Sequence, residues 1–256
     1  MTKISVVLNT FNEAELLERC LKNLIGLDEV VIIDMYSKDK TTEVAKKYTT
    51  NIYFHPRTIS VLYARNFSLT KATGDWVLIV DPDEIVKLSL VKKLKEMTLS
   101  KEFDAVSIPF RMYFLSKPLK YAYPLQYKVR FFKKDKAIFV ERVHTNPKIE
   151  GKIYNLPPNE DYIIEHRPNC SLKILFDKLS RYTTDEAKHL YFTDKKRGFF
   201  LDLLKKPIAE FYYRFILNKG YKDGFIGFLF SLYMAVYRFV LYFKLLNYTL
   251  KNKNNG

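Results

Sequence analysis

Two carboxylates stand one residue apart, in the order Asp81-Pro82-Asp83, directly after the apolar run Trp76–Val80. A run of this kind is typical of a buried strand, and a strand end holds side chains rigidly. Carboxylate oxygens at this spacing suit Mg²⁺ or Mn²⁺, which could bridge a diphosphate and stabilise it as a leaving group. We predict Asp83 as the metal ligand, whereas Asp81 could hold a ribose or the waters of the metal. The alternative is a plain strand-to-turn junction.

The local charge favours the functional interpretation. Asp81, Asp83 and Glu84 repel one another in a chain whose 43 Lys and Arg residues outnumber its 28 Asp and Glu residues. A cluster of like charges costs stability unless a neighbouring cation relieves it. We therefore expect a bound cation at this strand end.

Polar residues close two further apolar runs. Asn9 and Thr10 end the first run, and Asp34 ends the second. Amide and carboxylate groups at these positions could read the hydrogen-bonding edge of a nucleobase or a ribose hydroxyl. The alternative is helix capping, for which Ser37 and Asp39 are better placed than Asp34.

These side chains need a scaffold that brings several strand ends together. Predicted strands and helices alternate at first, which is typical of an α/β domain with a mostly parallel sheet, and ligands bind beyond the carboxyl ends of such strands. Later strands would form a mixed sheet beside it. The predicted strands are 4–8, 30–33, 51–54, 76–80, 105–114, 128–132, 138–140 and 162–164, and the predicted helices are 13–25, 41–48, 61–72, 88–97, 171–190 and 199 onward.

No glycine-rich phosphate loop occurs in the sequence. The chain holds neither Gly-x-Gly-x-x-Gly nor Gly-x-x-x-x-Gly-Lys-Ser/Thr. A dinucleotide-binding turn and a P-loop are therefore excluded, and phosphates would have to be held by a metal and by basic side chains.

The C-terminal quarter is basic and aromatic. Between Lys195 and Lys253 there are 12 basic and 3 acidic residues, together with 16 of the 39 Phe and Tyr residues. We therefore predict an α/β domain over residues 1–194 and a helical, membrane-associating region over residues 195–256. The net charge of +15 suits an anionic partner such as an acidic lipid, a phosphate-bearing substrate or nucleic acid.

The apolar run of this region is interrupted. Phe225–Tyr237 carries no charge, but Arg238 follows, so the run is too short for a membrane span. An interfacial helix with basic residues at the lipid headgroups fits the composition, and a helix packed on the protein's own core is the alternative. We see no signal peptide, and the spacing of Cys20 and Cys170 favours a reducing compartment.

Four blocks carry a family resemblance: Ile4–Glu13, Val31–Asp39, Ala64–Phe67 and Gly74–Glu84. Their order and spacing resemble family-2 glycosyltransferases, and weaker similarity continues to about Arg181. The resemblance implies the GT-A fold, with a Rossmann-like nucleotide-binding half and a mixed-sheet acceptor half, a nucleotide-sugar donor and a divalent metal. It is closest to the small β-glucosyltransferases that extend the inner core of lipopolysaccharide or lipooligosaccharide.

The resemblance also implies roles for the strand-end residues. Arg65 would lie near the base or the diphosphate, where a guanidinium suits bidentate phosphate contact, although a solvated helix residue is the plainer interpretation. The implied nucleotide-sugar-binding residues are Asn9, Thr10, Asp34, Arg65 and Asp81, with Asp34 on the nucleobase, and Asp83 is the implied metal ligand.

The sequence departs from the family at two places. Tyr36 replaces the glycine of the usual Asp-x-Gly-Ser, and Val143-His144-Thr145 lacks the glutamate that tends to follow the histidine. The second departure leaves the catalytic base open. An inverting transfer needs one base to take the acceptor's proton. We predict Glu141 and His144 as the catalytic candidates, each with a structural alternative, ahead of the remaining candidates Glu84, Asp161 and His166.

Together these features predict a metal-dependent, inverting transfer of a hexose, glucose in the first instance, from a UDP-sugar to a lipid-linked saccharide such as lipopolysaccharide core. We expect a peripheral protein at the cytoplasmic face of the inner membrane, bound to an anionic membrane surface and to no nucleic acid. Two alternatives stay open. Asp81-x-Asp83 resembles the nucleophile motif of haloacid-dehalogenase-like phosphatases, and a basic membrane adaptor would need no catalytic residue.

Overall fold

The structure is a computed structural model that describes residues 2–57, 61–139, 147–169, 171–193 and 199–253. The chain divides into two compact units, each assembled from two stretches of sequence. The predicted domain boundary at residues 194 and 195 lies outside the described residues and stays a prediction. The first unit comprises Met1–Arg111 and Leu125–Arg167, and the second comprises Met112–Pro124 and Pro168–Gly256.

Alternating strands and helices build the first part of the first unit. The strands are aliphatic runs, because a parallel sheet is covered on both faces and needs apolar side chains on both. The bounds are β1 (Ile4–Thr10), α1 (Ala14–Leu21), β2 (Glu29–Asp34), α2 (Thr41–Lys46), β3 (Ile52–Phe54), α3 (Val61–Lys71), β4 (Trp76–Val80), β5 (Glu84–Ile85) and α4 (Leu88–Met97).

Further strands, most of them antiparallel to their neighbours, then extend the sheet into a mixed one, as predicted. The strands are β6 (Ala105–Phe114), β7 (Lys117–Pro118), β8 (Gln126–Lys133), β9 (Ala137–Ile138), β10 (Lys148–Ile149), β11 (Ile153–Asn155) and β12 (Ile164–His166). The main sheet runs in the order β3-β2-β1-β4-β8-β6-β12-β5, with β11 beside β6 and parallel to it, and β9 pairs with β10 alone. Strands β1 to β4 are parallel, and β8 runs antiparallel to β4.

Hydrophobic clusters cover both faces of this sheet. Side chains alternate along a strand, so Val6 and Leu8 join a cluster with α1 and α4, whereas Val7 joins a second cluster with α3. Trp76, the only tryptophan in the chain, stacks on Phe131 in the first cluster with ring centroids 4.6 Å apart. The packed faces fix the strands whose ends carry the polar residues.

The structure corrects two predicted elements. The predicted helix over 13–25 ends at Leu21, and the predicted strand over 162–164 is a 3₁₀ turn at Glu160–Tyr162 followed by β12. Asn159 causes the second difference, because its side chain accepts a hydrogen bond of 2.9 Å from the Asp161 N–H and so caps the turn. The two-residue strands are too short to show a hydrophobic period.

Helices form most of the second unit. α6 packs against α7, and α7 packs against α5. Between α6 and α7 the chain turns through a π-helical segment at Tyr213–Leu217 and a 3₁₀ turn at Gly220–Asp223; a Cβ at Gly220 would lie 2.5 Å from the Arg214 carbonyl oxygen, so glycine is required. The bounds are α5 (Leu172–Thr193), α6 (Phe199–Tyr212) and α7 (Gly224–Lys253).

Candidate active site

Strand register brings the predicted polar residues to one edge of the sheet. β1 lies between β2 and β4, with Thr10 opposite Asp34 and Leu8 opposite Val80. Asp81 follows Val80 at once, so its backbone lies level with the end of β1. The carboxyl ends of three parallel strands therefore meet where the sequence places its amide and carboxylate groups.

Asp34 and Thr10 present unused hydrogen-bonding atoms at this edge. Asp34 is fully buried, and its Oδ1 accepts a hydrogen bond of 2.7 Å from the Ser37 N–H. Among the described residues, neither Asp34 Oδ2 nor Thr10 Oγ1 has a hydrogen-bond partner, although both atoms are buried. A buried acceptor without a partner costs free energy, so these two atoms fit a ligand that brings N–H or O–H groups.

Asn9 has a partner within the protein. Its Nδ2 donates to Ser68 Oγ at 2.8 Å, and Ser68 Oγ lies 3.1 Å from Asn9 Oδ1. These bonds tie β1 to α3. A direct contact between Asn9 and a nucleotide-sugar stays a prediction. In the structure, Asn9 holds β1 and α3 in place.

The loop after β1 and the loop after β2 are joined by hydrogen bonds. Asn12 Oδ1 accepts a hydrogen bond from the Lys38 N–H at 2.7 Å, and the Asn12 N–H donates to Ser37 Oγ at 2.9 Å. Asp39 Oδ1 accepts a hydrogen bond of 3.0 Å from the N–H of Thr41, the first residue of α2. These residues therefore shape the loops around Asp34, as the capping interpretation of Ser37 and Asp39 predicts in part.

Tyr36 adopts the left-handed conformation that glycine usually supplies. Its φ is +59°, and its exposed ring stacks on Phe54 with centroids 5.5 Å apart. Tyrosine therefore replaces the glycine of Asp-x-Gly-Ser without changing the backbone conformation of the turn. The positive φ costs roughly 1–2 kcal/mol more for tyrosine than for glycine.

We expect Tyr36→Val to be less stable than Tyr36→Asn by about 1–2 kcal/mol. Both variants lose the stack on Phe54, but asparagine tolerates a positive φ and a β-branched residue does not. Urea unfolding followed by Trp76 fluorescence measures the difference in the first unit. Equal stabilities would show that the turn has another conformation.

Asp81 lies within a closed ring of charged groups. Arg65 Nη2 and Arg130 Nη2 each lie 2.8 Å from one of its carboxylate oxygens. Arg130 also pairs with the fully buried Glu84, whose Oε2 accepts a hydrogen bond of 3.0 Å from the Asp81 N–H. Asp81 is thus held by three contacts, from α3, β8 and its own turn.

Burial and charge act against each other in this ring. Burial by itself raises the pKa of Asp81, but the Arg130 and Arg65 guanidiniums outweigh it and hold that pKa well below its usual range. Burial raises the pKa of Glu84, and Arg130 offsets only part of the rise. Burial, assisted by Arg130, lowers the pKa of Lys128.

The ring corrects one step of the sequence argument. Arg65 and Arg130 pair with Asp81 and Glu84, so the repulsion between these two carboxylates does not by itself require a metal. Sequence reasoning missed Arg130. The signal was present, because Arg130 lies between the apolar residues Val129 and Phe131, and a charged residue buried there needs a partner.

Asp83 remains the residue best placed for a metal. Its Oδ1 lies 3.3 Å from His166 Nδ1, without hydrogen-bond geometry, and that buried nitrogen has no other described partner. β12 brings His166 there, opposite Glu84. A carboxylate oxygen beside an imidazole nitrogen suits Mn²⁺, and Mg²⁺ and Mn²⁺ complete their shells with waters and phosphate oxygens. No group of three or more His, Cys, Asp or Glu side chains forms a full metal cage among the described residues.

The catalytic candidates Glu141 and His144 lie outside the described residues and stay predictions. Asn66 fixes the chain just before them, because it donates to the Phe139 carbonyl at 2.8 Å and accepts from the Phe139 N–H at 2.9 Å. Both carboxylate oxygens of Glu84 are engaged, so Glu84 is poorly placed to act as a base.

Comparison with known proteins gives matches along most of the chain. The family model described as Glycosyl transferase family 2 matches residues 5–153. An uncharacterized glycosyltransferase of Rickettsia prowazekii is 28% identical over 270 residues, which cover 99% of this chain and 90% of its own. The cholesterol galactosyltransferase of Borreliella burgdorferi is 29% identical over 127 residues, which cover 46% of this chain and 35% of its own.

A solved structure has a similar fold. The mannosyltransferase from Pyrobaculum calidifontis, solved in complex with GDP-Man and Mn²⁺, superposes with a TM-score of 0.53 over 96% of this chain and 87% of its own, at 14% identity. At that identity the match concerns the fold alone, and it confirms the predicted GT-A architecture.

Proposed function

The chain belongs to glycosyl transferase family 2, and on that basis we propose that it transfers a hexose, glucose in the first instance, from a UDP-sugar to a hydroxyl group of a lipid-linked saccharide such as lipopolysaccharide core. Membership of this family favours a transferase over the phosphatase and adaptor alternatives. One observation carries the choice of donor: Asp34 Oδ2 is buried at the strand edge without a described partner.

The chemistry of Asp34 selects among nucleobases. A carboxylate accepts hydrogen bonds and donates none, so beside the ring nitrogen of the pairing edge it suits a base whose ring nitrogen carries a hydrogen. Uracil and guanine have such a ring N–H, whereas cytosine and adenine have a ring nitrogen acceptor there, next to their amino group. Thr10 Oγ1 can donate to a neighbouring carbonyl oxygen. Among the bases with a ring N–H, we choose uracil because the family resemblance is closest to glucosyltransferases.

Asp83 and His166 would hold Mg²⁺ or Mn²⁺, which when bound stabilises the negative charge of the leaving diphosphate. The mannosyltransferase of similar fold, solved with Mn²⁺, supports this choice. Arg65 and Arg130 fit the same role, because the buried Nε atom of each has no described partner and can donate to a phosphate oxygen.

For the catalytic base we keep the residues that the sequence suggests. An inverting transfer needs one side chain that takes the proton of the acceptor hydroxyl while the anomeric carbon develops oxocarbenium character. Glu141 and His144 are the proposed candidates. Asn66 would support them by fixing the backbone at Phe139.

An apolar stripe on α7 supports membrane association. Although Arg238 interrupts the uncharged run of α7, which alone is too short for a span, the whole helix is by length and composition long and apolar enough to cross a membrane. One of its faces, however, packs on polar α5, where Leu241 and Leu245 cluster with Ala187. Its other face exposes large apolar side chains three to four residues apart, which suits a helix lying in the interface. The stripe consists of Phe225, Phe228, Leu232, Val236, Phe239 and Phe243.

The stripe supports a proposal for the position of the protein and for its acceptor. We place the protein at the cytoplasmic face of the inner membrane, bound peripherally through the stripe and through basic side chains that attract anionic lipids. A lipid-linked acceptor would lie at the same surface. The Borreliella relative, a cholesterol galactosyltransferase by name, supports a lipid acceptor.

Nucleotide selectivity tests the donor site. We expect UDP to bind and CDP to bind far more weakly. Asp34→Ala should weaken UDP binding by about 10- to 100-fold, because it removes a charged hydrogen-bond acceptor. Isothermal titration calorimetry measures both effects.

Asp135→Ala is the control, since it removes an exposed carboxylate on the turn before β9, away from the strand edge that carries Asp34. It should leave UDP affinity nearly unchanged. Equal binding of UDP and CDP, or unchanged UDP affinity in Asp34→Ala, would contradict the proposed donor site.

A further inference from the structure

A cavity opens between α6 and α7 in the second unit, and none of the residues assigned to the donor lines it. Its lining residues on α6 and the turn that follows recur three to four positions apart, so they share one face. Ala209 leaves space between larger neighbours. The lining consists of Lys206, Ala209, Glu210, Tyr213, Arg238 and Tyr242.

Most charge at this cavity is already balanced. Glu210 accepts from Arg214 Nε at 2.6 Å and from Arg238 Nε at 3.1 Å. Arg238 Nη1 also lies 3.3 Å from Glu186 Oε1. Two guanidiniums therefore face two carboxylates, and this network contributes no net charge.

Lys206 adds one positive charge that no ion pair among the described residues balances. Its side chain is exposed and forms no ion pair with any described residue. The cavity thus carries a surplus of one positive charge, beside the exposed Tyr213, whose phenol can donate a hydrogen bond.

We propose that this cavity binds the phosphodiester of a lipid headgroup, with Lys206 as its charge partner. A phosphodiester carries one negative charge and matches the surplus, whereas a phosphomonoester carries about 1.5 to 2. The apolar stripe on α7, the helix that supplies Arg238 and Tyr242, indicates a lipid as the source. The inference rests on the proposed membrane association.

Vesicle flotation with the full chain tests the site. Lys205→Ala and Lys206→Ala remove the same charge from neighbouring positions on α6, and only Lys206 lines the cavity. On vesicles containing phosphatidylglycerol in a galactolipid background, Lys206→Ala should partition about fivefold less than Lys205→Ala. On vesicles of equal surface charge with carboxylate-headed lipid and no phosphate, the two variants should partition equally.

A soluble probe separates this proposal from membrane association. Dihexanoylphosphatidylglycerol below its micelle concentration should bind the wild type and Lys205→Ala, but not Lys206→Ala, in calorimetry without any membrane. Failure of that binding, or its displacement by an equal concentration of inorganic phosphate, would overturn the phosphodiester site even where flotation persists. Failure of the wild type to float on either vesicle, with probe binding intact, would overturn membrane association instead.

Discussion

Replacing Asp83 by asparagine is expected to lower the rate of sugar transfer by roughly 100- to 1,000-fold. Asparagine keeps the size of the side chain but removes the charge that would hold a divalent cation beside the leaving diphosphate. Release of UDP from UDP-glucose, in the presence of a lipid-linked saccharide acceptor, measures the effect. The variant should also need a higher Mn²⁺ concentration for half of its remaining rate.

Asp135→Asn is the control for this prediction, because Asp135 is an exposed carboxylate on the turn before β9. It should leave rate and Mn²⁺ dependence unchanged. His166→Ala should shift the Mn²⁺ dependence in the same direction as Asp83→Asn, since the two side chains are neighbours. A wild-type rate that is the same in EDTA and in Mn²⁺ would overturn the role assigned to Asp83.

Arg130→Ala is expected to destabilise the first unit by about 3–5 kcal/mol. The substitution leaves Glu84 buried without its counter-charge and removes one of the two guanidiniums on Asp81. Urea unfolding followed by the fluorescence of Trp76 measures the loss, because that single tryptophan lies in the core of the same unit.

Arg111→Ala is the matched control for stability. Its partner Glu160 is largely exposed, so this ion pair contributes about 1 kcal/mol or less. A second variant isolates the cause: Glu84→Gln combined with Arg130→Ala should recover part of the loss, because the uncompensated charge is gone. A loss in Arg130→Ala no larger than in Arg111→Ala would contradict the buried ring.

The free energy of unfolding of Arg130→Ala should depend on pH, and the pKa of Glu84 sets the sign of that dependence. Burial already raises the pKa of Glu84, and without Arg130 that pKa rises further. The folded variant then binds a proton that the unfolded chain releases above about pH 4.3. Its stability therefore falls as pH rises, and the deficit against the wild type should be smaller at low pH than at neutral pH.

The sequence predicts which strand ends meet at the candidate site, but it does not predict which side chains from other strands contact them. The apolar runs before Thr10, Asp34 and Asp81 are long enough to reveal strands, and their alternation with helices fixes a parallel sheet whose carboxyl ends coincide. Arg130 and His166 reach the same edge from β8 and β12. Such pairings depend on tertiary register, which no local pattern records.

Residues that the sequence suggests for ligand binding can instead form hydrogen bonds that hold loops in place. Asn12, Ser37 and Asp39 belong to the blocks that carry the family resemblance, and the structure uses them to hold two loops around Asp34. Tyr36 shows the reverse case, because a side chain that departs from the family pattern keeps the backbone conformation of the residue it replaces.

Mutual strengthening of metal and nucleotide binding tests the central claim most directly. In our account Asp34 binds the nucleobase and Asp83 binds the metal of one metal–nucleotide complex. Mn²⁺ must then raise the affinity for UDP, and UDP must raise the affinity for Mn²⁺ by the same factor. We expect a factor of about ten or more in the wild type and none in Asp83→Ala, measured by titrating UDP with Mn²⁺ or EDTA present. Equal UDP affinity of the wild type under both conditions would contradict the account.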